Sequence, residues 1–178
     1  MNRNGLIICG YQGIGKSTLC TNGEVVTGHP EVRCIDLESG SFWYDGKRPH
    51  DWFRYYANIA RHLAGQGYLV FTASHKVFRE WMREQGIGFV TLFPSVELKD
   101  MWIAKLEARY NDTWLEKDYK ALMNAKEMYE QNIDDLAGED NHYIISDIDY
   151  RMADVVKEIV EIMMPSLAND QRFDYCSK

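Results

Sequence analysis

The chain lacks long apolar runs, paired-cysteine motifs and zinc-like clusters, and it contains little proline. No stretch of about eighteen consecutive apolar residues occurs, so the sequence predicts no transmembrane helix. Proline and cysteine number only 4 each among 178 residues, and no Cys or His spacing is that of a zinc site. These absences exclude a helical membrane protein, a zinc module and a disulfide-stapled secreted domain. We therefore expect a reduced, cytoplasmic protein with no membrane partner.

An excess of basic residues is also missing. Lys and Arg number 20 against 27 Asp and Glu, which gives a formal net charge of −7 and a pI of about 5.2. This balance argues against a protein held on nucleic acid by a general positive field, although it is compatible with a local basic cleft. The hydrophobic share of 46% fits a globular domain with a full core. We expect one domain over residues 1–165.

The clearest positive feature is a glycine-rich motif near the amino terminus. Residues 10–17, GYQGIGKS, fit the pattern G-x-x-x-x-G-K-[ST] of a phosphate-binding P-loop. Its glycines let the backbone bend tightly and aim N–H groups at phosphate oxygens. Lys16 is predicted to reach the β- and γ-phosphates, and the Ser17 hydroxyl is predicted to bind Mg²⁺. The predicted nucleotide-binding residues in this region are Gly10, Gln12, Gly13, Ile14, Gly15, Lys16, Ser17 and Thr18.

Strand and helix patterns alternate along the chain, which predicts an α/β fold. We expect a three-layer sandwich with a five-stranded parallel sheet. The apolar run Leu6–Cys9 comes just before the motif and gives the strand, loop and helix order that a P-loop requires. Further strands are predicted at 32–36, 68–73, 89–93 and 142–146. Helices are predicted at 52–64, 76–85, 97–109, 115–136 and 152–164, followed by a loose tail over 166–178.

Ligands of such sheets bind at the carboxyl ends of the strands, so residues that follow a strand are candidates. Asp36 ends the second predicted strand. It is predicted either to hold Mg²⁺ with Ser17 or to accept the proton of an acceptor hydroxyl. Glu38 is expected to share that work, and the alternative for Asp36 is an ordinary turn cap. His75 follows the third strand, but a lone histidine is more often structural, and we assign it no catalytic part.

These segments together resemble the small P-loop kinases, which include nucleoside monophosphate kinases, shikimate kinases and gluconate kinases. The resemblance rests on the P-loop, on residues 34–39 (CIDLES), on residues 71–79 (FTASHKVFR) and on the strand-to-helix segment at Ile148 and Asp149. It extends over roughly residues 5–163, and it is specific in the P-loop but only topological elsewhere. It implies ATP and Mg²⁺ as cofactors, with Asp149 near the adenine.

By this resemblance, residues of about 38–65 form the acceptor-binding side. Residues 41–49 place three aromatic side chains beside two cations. Aromatic faces stack on nucleobases, and cations hold phosphate. The alternative is that Phe42 and Trp43 are core residues and that the arginines are solvated. The predicted acceptor-binding residues are Asp36, Glu38, Ser39, Phe42, Trp43, Arg48 and Arg54.

Two arginines are assigned to the transferred phosphate by the same resemblance. Arg79, a few residues after the third strand, is expected to contact the acceptor or the transferring phosphate. Arg109, at the end of the helix after the fourth strand, is expected to lie in a lid of about residues 105–120 and to neutralise transition-state charge. The alternative for the lid is an ordinary pair of surface helices. The predicted catalytic residues are Lys16, Asp36, Arg79 and Arg109.

The sequence departs from the named members of this group at three points. It has no Asp-Gly-Phe-Pro-Arg after the third strand, no Asp-x-Asp at Asp36 and no arginine pair in the lid. The leading hypothesis is therefore a general one: an ATP-dependent kinase of a small acceptor, a nucleotide or nucleoside, acting as a monomer or homodimer. One alternative is a kinase of a 5′-hydroxyl end or modified base in nucleic acid. The other is a P-loop ATPase or binding module without an acceptor.

Overall fold

The computed structural model of the chain describes residues 5–21, 26, 29, 31–167 and 169–176. Within these residues a single parallel sheet has the strand order β2-β3-β1-β4-β5. The prediction of an α/β fold with a five-stranded parallel sheet is confirmed. The strands are β1 Leu6–Gly10, β2 Cys34–Asp36, β3 Leu69–Ala73, β4 Val90–Pro94 and β5 His142–Ile145.

Helices flank the sheet close to their predicted positions. They are α1 Lys16–Thr21, α2 Trp52–Gly65, α3 Lys76–Glu84, α4 Lys99–Thr113, α5 Glu116–Ala137, α6 Met152–Glu158 and α7 Met164–Leu167. The last predicted helix does not end at Pro165, because a π-helical turn over Ile159–Met163 leads into α7. Proline is tolerated in the first turn of a helix, where its missing N–H is not needed. In the part of the chain that the structure describes, no helix has both the length and the apolar character needed to cross a bilayer.

The core is built around β1, which pairs with β3 on one side and β4 on the other. All five β1 residues are buried, as expected for a parallel strand covered on both faces. Helix α2 packs against β1 and β3 through one apolar face. Its Tyr56 hydroxyl donates to the Leu37 carbonyl at 2.5 Å and accepts from the Ala73 N–H at 2.9 Å. This hydroxyl therefore joins the carboxyl ends of β2 and β3, beside the predicted site.

The carboxyl-terminal segment packs on the core, which corrects the expectation of a loose tail. Phe173 and Tyr175 are buried, and a Cβ on Gly88 would lie 2.7 Å from the Phe173 ring. The Gly88 N–H donates to the Arg172 carbonyl at 2.6 Å. The Tyr175 hydroxyl donates to the Gly88 carbonyl at 2.8 Å and accepts from the Ile7 N–H at 3.4 Å. Two aromatic rings bury enough apolar area to hold a short segment that has no helical or strand periodicity.

We expect Tyr175→Phe to lower the free energy of unfolding by about 1–3 kcal/mol, because the buried Gly88 carbonyl would lose its hydroxyl partner. Tyr44→Phe is the matched control, since Tyr44 is 84% exposed, and it should change stability by less than about 0.5 kcal/mol. Urea denaturation of both variants measures the difference. Equal midpoints for Tyr175→Phe and the parent chain would contradict a docked tail.

Candidate active site

The P-loop runs from the end of β1 into α1 with the backbone geometry that its glycines predict. Gly13 and Gly15 have φ values of +82° and +92°, a region that residues with a Cβ rarely adopt. At Gly10 the limit is steric, since a Cβ there would lie 2.3 Å from Cδ1 of Ile14. The bend of the loop therefore favours glycine at positions 13 and 15, and at position 10 a side chain would displace Ile14.

Lys16 begins α1 and turns back over the loop, where its Nζ donates to the Gly10 carbonyl at 3.1 Å. Burial lowers the pKa of Lys16, and the nearby Arg109 acts in the same direction. Asp36 and Glu38 act in the opposite direction and favour the charged ammonium. The predicted phosphate-binding lysine therefore lies among the carboxylates after β2 and the arginine of α4.

Ser17 and Asp36, the two residues predicted to hold Mg²⁺, are in direct contact. The Ser17 Oγ donates to Oδ2 of Asp36 at 2.5 Å. Hydroxyl and carboxylate oxygens are ligands that Mg²⁺ accepts, and this ion keeps several waters, so two protein ligands are a suitable set. The pair also ties the start of α1 to the end of β2, two strands away from β1 in the sheet.

The other predicted nucleotide-binding side chains lie around the loop. The Gln12 amide faces α5, where it donates to the Ala121 carbonyl at 2.8 Å, and this leaves its backbone to line the loop. Thr18 is exposed on α1. Asp149 is exposed in the loop after β5, and the next residue, Tyr150, contacts the P-loop through its hydroxyl.

On the acceptor side, Arg48 is held in a pocket of neutral groups. Its guanidinium carbon lies 5.1 Å from the ring centroid of Trp43 and 4.3 Å from that of Trp52. Its Nη2 donates to the Ser39 hydroxyl at 3.0 Å and to the Ser39 carbonyl at 3.1 Å. Among the described residues, its buried Nε has no hydrogen-bond partner. The pocket therefore presents a cation whose charge its contacting neighbours do not neutralise.

His75, to which the sequence analysis assigned no catalytic part, belongs to the same pocket. Its Nε2 lies 3.1 Å from the Ser39 Oγ and 3.5 Å from Nη1 of Arg48. Because arginine only donates, we assign Nε2 as the acceptor and place the ring proton on Nδ1. Burial lowers the pKa of His75 to about 4, and the charges of Arg48 and Lys16 act in the same direction. The imidazole is therefore neutral at pH 7.

Of the other side chains predicted to bind the acceptor, one packs in the core and two are exposed. Phe42 packs on Tyr56 with ring centroids 5.6 Å apart, so the core alternative describes it better than ligand binding. Trp43 is 51% exposed, and Nζ of Lys120 lies 5.7 Å from its ring centroid. Trp43 thus links the acceptor segment to the start of α5. Arg54 is on the exposed face of α2, over the ring of Phe53 and outside the network around Arg48.

Arg79 does not take the place that the resemblance implied, and this corrects its expected contact with phosphate. Its side chain is 3% exposed and pairs with Asp135 and Glu139 at the end of α5. Its Nε donates to the Ser74 carbonyl at 3.3 Å. The guanidinium is therefore satisfied inside the protein, where it fixes α3 to α5.

The charge of Arg109, by contrast, reaches the P-loop lysine, and it lowers the pKa of both Lys16 and Lys105. It pairs with Asp118, whose side chain is 3% exposed. The Thr113 hydroxyl donates to the other oxygen of that carboxylate at 2.6 Å. Asp118 was missed in the sequence because its pairing becomes visible only once α4 and α5 are folded against each other.

Comparison with known proteins supports the fold. No protein-family model matches the chain, and no curated protein matches it. Among solved structures it is similar to the tunicamycin resistance protein of Deinococcus radiodurans, with a TM-score of 0.50 and 15% identity over 93% of this chain and 96% of that chain. At this identity the likeness shows a shared fold alone. The sheet order, the P-loop and this likeness define an α/β fold with a five-stranded parallel sheet and a P-loop.

We expect Arg79→Met to lower the free energy of unfolding by about 3–5 kcal/mol, because it leaves buried carboxylate charge without its partner. Arg83→Met is the matched control: Arg83 also pairs with Glu139 but is 52% exposed, so its loss should cost less than about 1 kcal/mol. Chemical denaturation measures both variants. If Arg79→Met is as stable as the parent chain but loses nucleotide-dependent turnover, Arg79 acts in the catalytic site after all.

Stability should depend on the protonation of His75. The folded protein keeps this imidazole neutral down to about pH 4, whereas the ordinary pKa is 6.5. The unfolded chain therefore binds more protons between these two values, and the free energy of unfolding should fall as the pH drops through that window. Replacing His75 with Gln should make this slope shallower, as measured by denaturation at several pH values. A slope equal to that of the parent chain would contradict a neutral, buried His75.

Proposed function

We propose that this protein is an ATP-dependent phosphotransferase that acts on a small acceptor. The observation that carries the proposal is the 2.5 Å contact between Ser17 and Asp36, which joins the P-loop to a carboxylate at the end of β2. Lys16 and Arg109 supply positive charge beside that contact. The Arg48 pocket offers a separate place for a second substrate, which favours a transferase over a simple ATPase.

In this proposal the backbone N–H groups of the P-loop and the Lys16 ammonium hold the ATP phosphates. Ser17 and Asp36 would hold Mg²⁺, which would offset the negative charge of the phosphates. An acceptor oxygen forms the new bond to the γ-phosphorus as the bond from that phosphorus to the β–γ bridging oxygen breaks, and ADP leaves. When Asp36 holds the ion, the acceptor proton passes to solvent; in the alternative role Asp36 leaves the ion to Ser17 and accepts that proton itself. Arg109 faces the charge that builds up on the transferred group.

The acceptor class follows from the pocket around Arg48. An anionic oxygen is the natural partner for a guanidinium held by two indoles, a serine and a neutral histidine. The exposed ring of Trp43 suits stacking on a nucleobase. We therefore favour a nucleoside monophosphate or nucleoside, bound by residues of about 38–65 and covered by a lid of about residues 105–120. The proposed use of ATP and the presence of four free cysteines are both consistent with a cytosolic protein.

The test is release of ADP from ATP and Mg²⁺ with a panel of acceptors: nucleoside monophosphates, nucleosides, gluconate, shikimate and 5′-hydroxyl oligonucleotides. We expect one small acceptor to stimulate turnover, and we expect Lys16→Ala to abolish the stimulation. Asp36→Asn should lower kcat by about 10²-fold or more if the carboxylate takes the acceptor proton. Arg48→Met should raise the KM for the acceptor with little change in the KM for ATP. Arg83→Met, remote from the pocket, is the control.

Two outcomes would overturn the proposal in different ways. Turnover that is the same with and without every acceptor would identify an ATPase. Stimulation by oligonucleotides alone, with steep loss of binding as salt rises, would identify a kinase of nucleic-acid ends.

A further inference from the structure

We propose that Trp102 and Tyr150 orient two peptide groups of the P-loop, so that the N–H groups of Gly13 and Gly15 point to the side where phosphate binds. The inference rests on the proposed function, since it takes the loop to be a phosphate site. It gives two aromatic residues outside the P-loop motif a role in positioning the loop.

The contacts are hydrogen bonds from side chains to loop carbonyls. Nε1 of Trp102 donates to the Gln12 carbonyl at 3.0 Å. The Tyr150 hydroxyl donates to the Ile14 carbonyl at 2.8 Å. Trp102 is on α4, and Tyr150 is in the loop between β5 and α6, so the P-loop is held by two elements distant in sequence.

Through the geometry of the peptide bond, these contacts determine the direction of the N–H groups on the phosphate side. In a trans peptide the carbonyl and the following N–H point in opposite directions. A Gln12 carbonyl held toward Trp102 therefore turns the Gly13 N–H the other way, and the Ile14 carbonyl held by Tyr150 does the same for Gly15. Both glycines have positive φ and wide conformational freedom, so the loop alone does not fix these directions. The external hydrogen bonds supply that restraint.

Lys105 makes the two aromatic residues a single unit. The rings of Trp102 and Tyr150 are nearly parallel, with an interplanar angle of 3° and centroids 6.2 Å apart. Nζ of Lys105 lies 4.5 Å from the Trp102 centroid and 4.8 Å from that of Tyr150. It also donates to the Tyr150 hydroxyl at 3.4 Å. The hydroxyl thus accepts from a cation and donates to the loop, which strengthens the bond to Ile14.

Close packing prevents the unit from moving away from the loop. A Cβ on Gly13 would lie 2.8 Å from Cδ2 of Leu106 and 3.4 Å from Nε1 of Trp102, so α4 touches the loop directly. On the other side, the ring of Tyr11 lies 6.4 Å from that of Trp102. A site that is rigid before the ligand arrives avoids the cost of ordering the loop on binding. The expected signature is therefore a loss of nucleotide affinity that exceeds any loss of stability.

The experiment is calorimetric binding of a non-hydrolysable ATP analogue with Mg²⁺ to the full chain and to Tyr150→Phe. We expect the Kd to rise about three- to tenfold, the effect of one lost hydrogen bond, with little change in Tm. Tyr143→Phe is the matched control, because its hydroxyl pairs with Glu158 away from the loop and its loss should leave the Kd unchanged. In nuclear magnetic resonance spectra, the amide signals of Gly13 and Gly15 should shift in free Tyr150→Phe. Trp102→Phe should weaken binding in the same way.

An unchanged Kd and unchanged glycine amide signals in Tyr150→Phe would overturn the inference. Lys16→Ala separates this result from the failure of the proposed function. If Lys16→Ala loses analogue binding while Tyr150→Phe does not, the loop is a nucleotide site and only the positioning part is wrong. If Lys16→Ala binds as tightly as the parent chain, the proposed function fails and the inference falls with it.

Discussion

The position of β1 between β3 and β4 is the constraint on which the rest of the site depends. The strand is buried and paired on both sides, so its carboxyl end emerges at the centre of the sheet edge, where the chain crosses from one half of the sheet to the other. Ligands of open parallel sheets bind at that point. The P-loop has no freedom to lie elsewhere, and the end of β2 reaches it through β3, which brings Asp36 to Ser17. The order of the strands alone therefore determines that the site lies at this edge of the sheet.

Helix α4 connects the two sides of the proposed nucleotide site. Trp102, Lys105 and Arg109 recur at the spacing of one helical face. The first two residues of that face hold the P-loop through its carbonyls and through Tyr150, and the last places a cation beside Lys16. A shift of α4 would therefore change the loop geometry and the charge near the transferred group together. Asp118 on α5 pairs with Arg109 and so holds the carboxyl-terminal end of this face. Helices α4 and α5 would therefore move together as the proposed lid.

The features that the sequence predicts well are local ones. The strands, the helices and the P-loop follow from apolar periodicity and from a motif whose residues are consecutive, and all of them appear near the expected positions. The features that it missed depend on contacts between distant segments. Arg79 meets its carboxylates 56 and 60 residues further on, and Trp102 and Tyr150 meet the P-loop across 90 and 136 residues. No periodicity encodes such pairs, so an arginine after a strand looks the same whether it faces solvent or a buried acid.

The distribution of charge favours a small acceptor over a polymer. The chain as a whole carries −7, yet the charges of Arg48 and Lys16 both act on His75, and the charge of Arg109 acts on Lys16. Salt screens charges over about 8 Å at physiological ionic strength, so this positive region acts on a ligand that enters the cleft and little on one that spans the surface. A mononucleotide in the proposed site would place its anionic groups within the range of these charges, whereas a nucleic acid would extend well beyond that range.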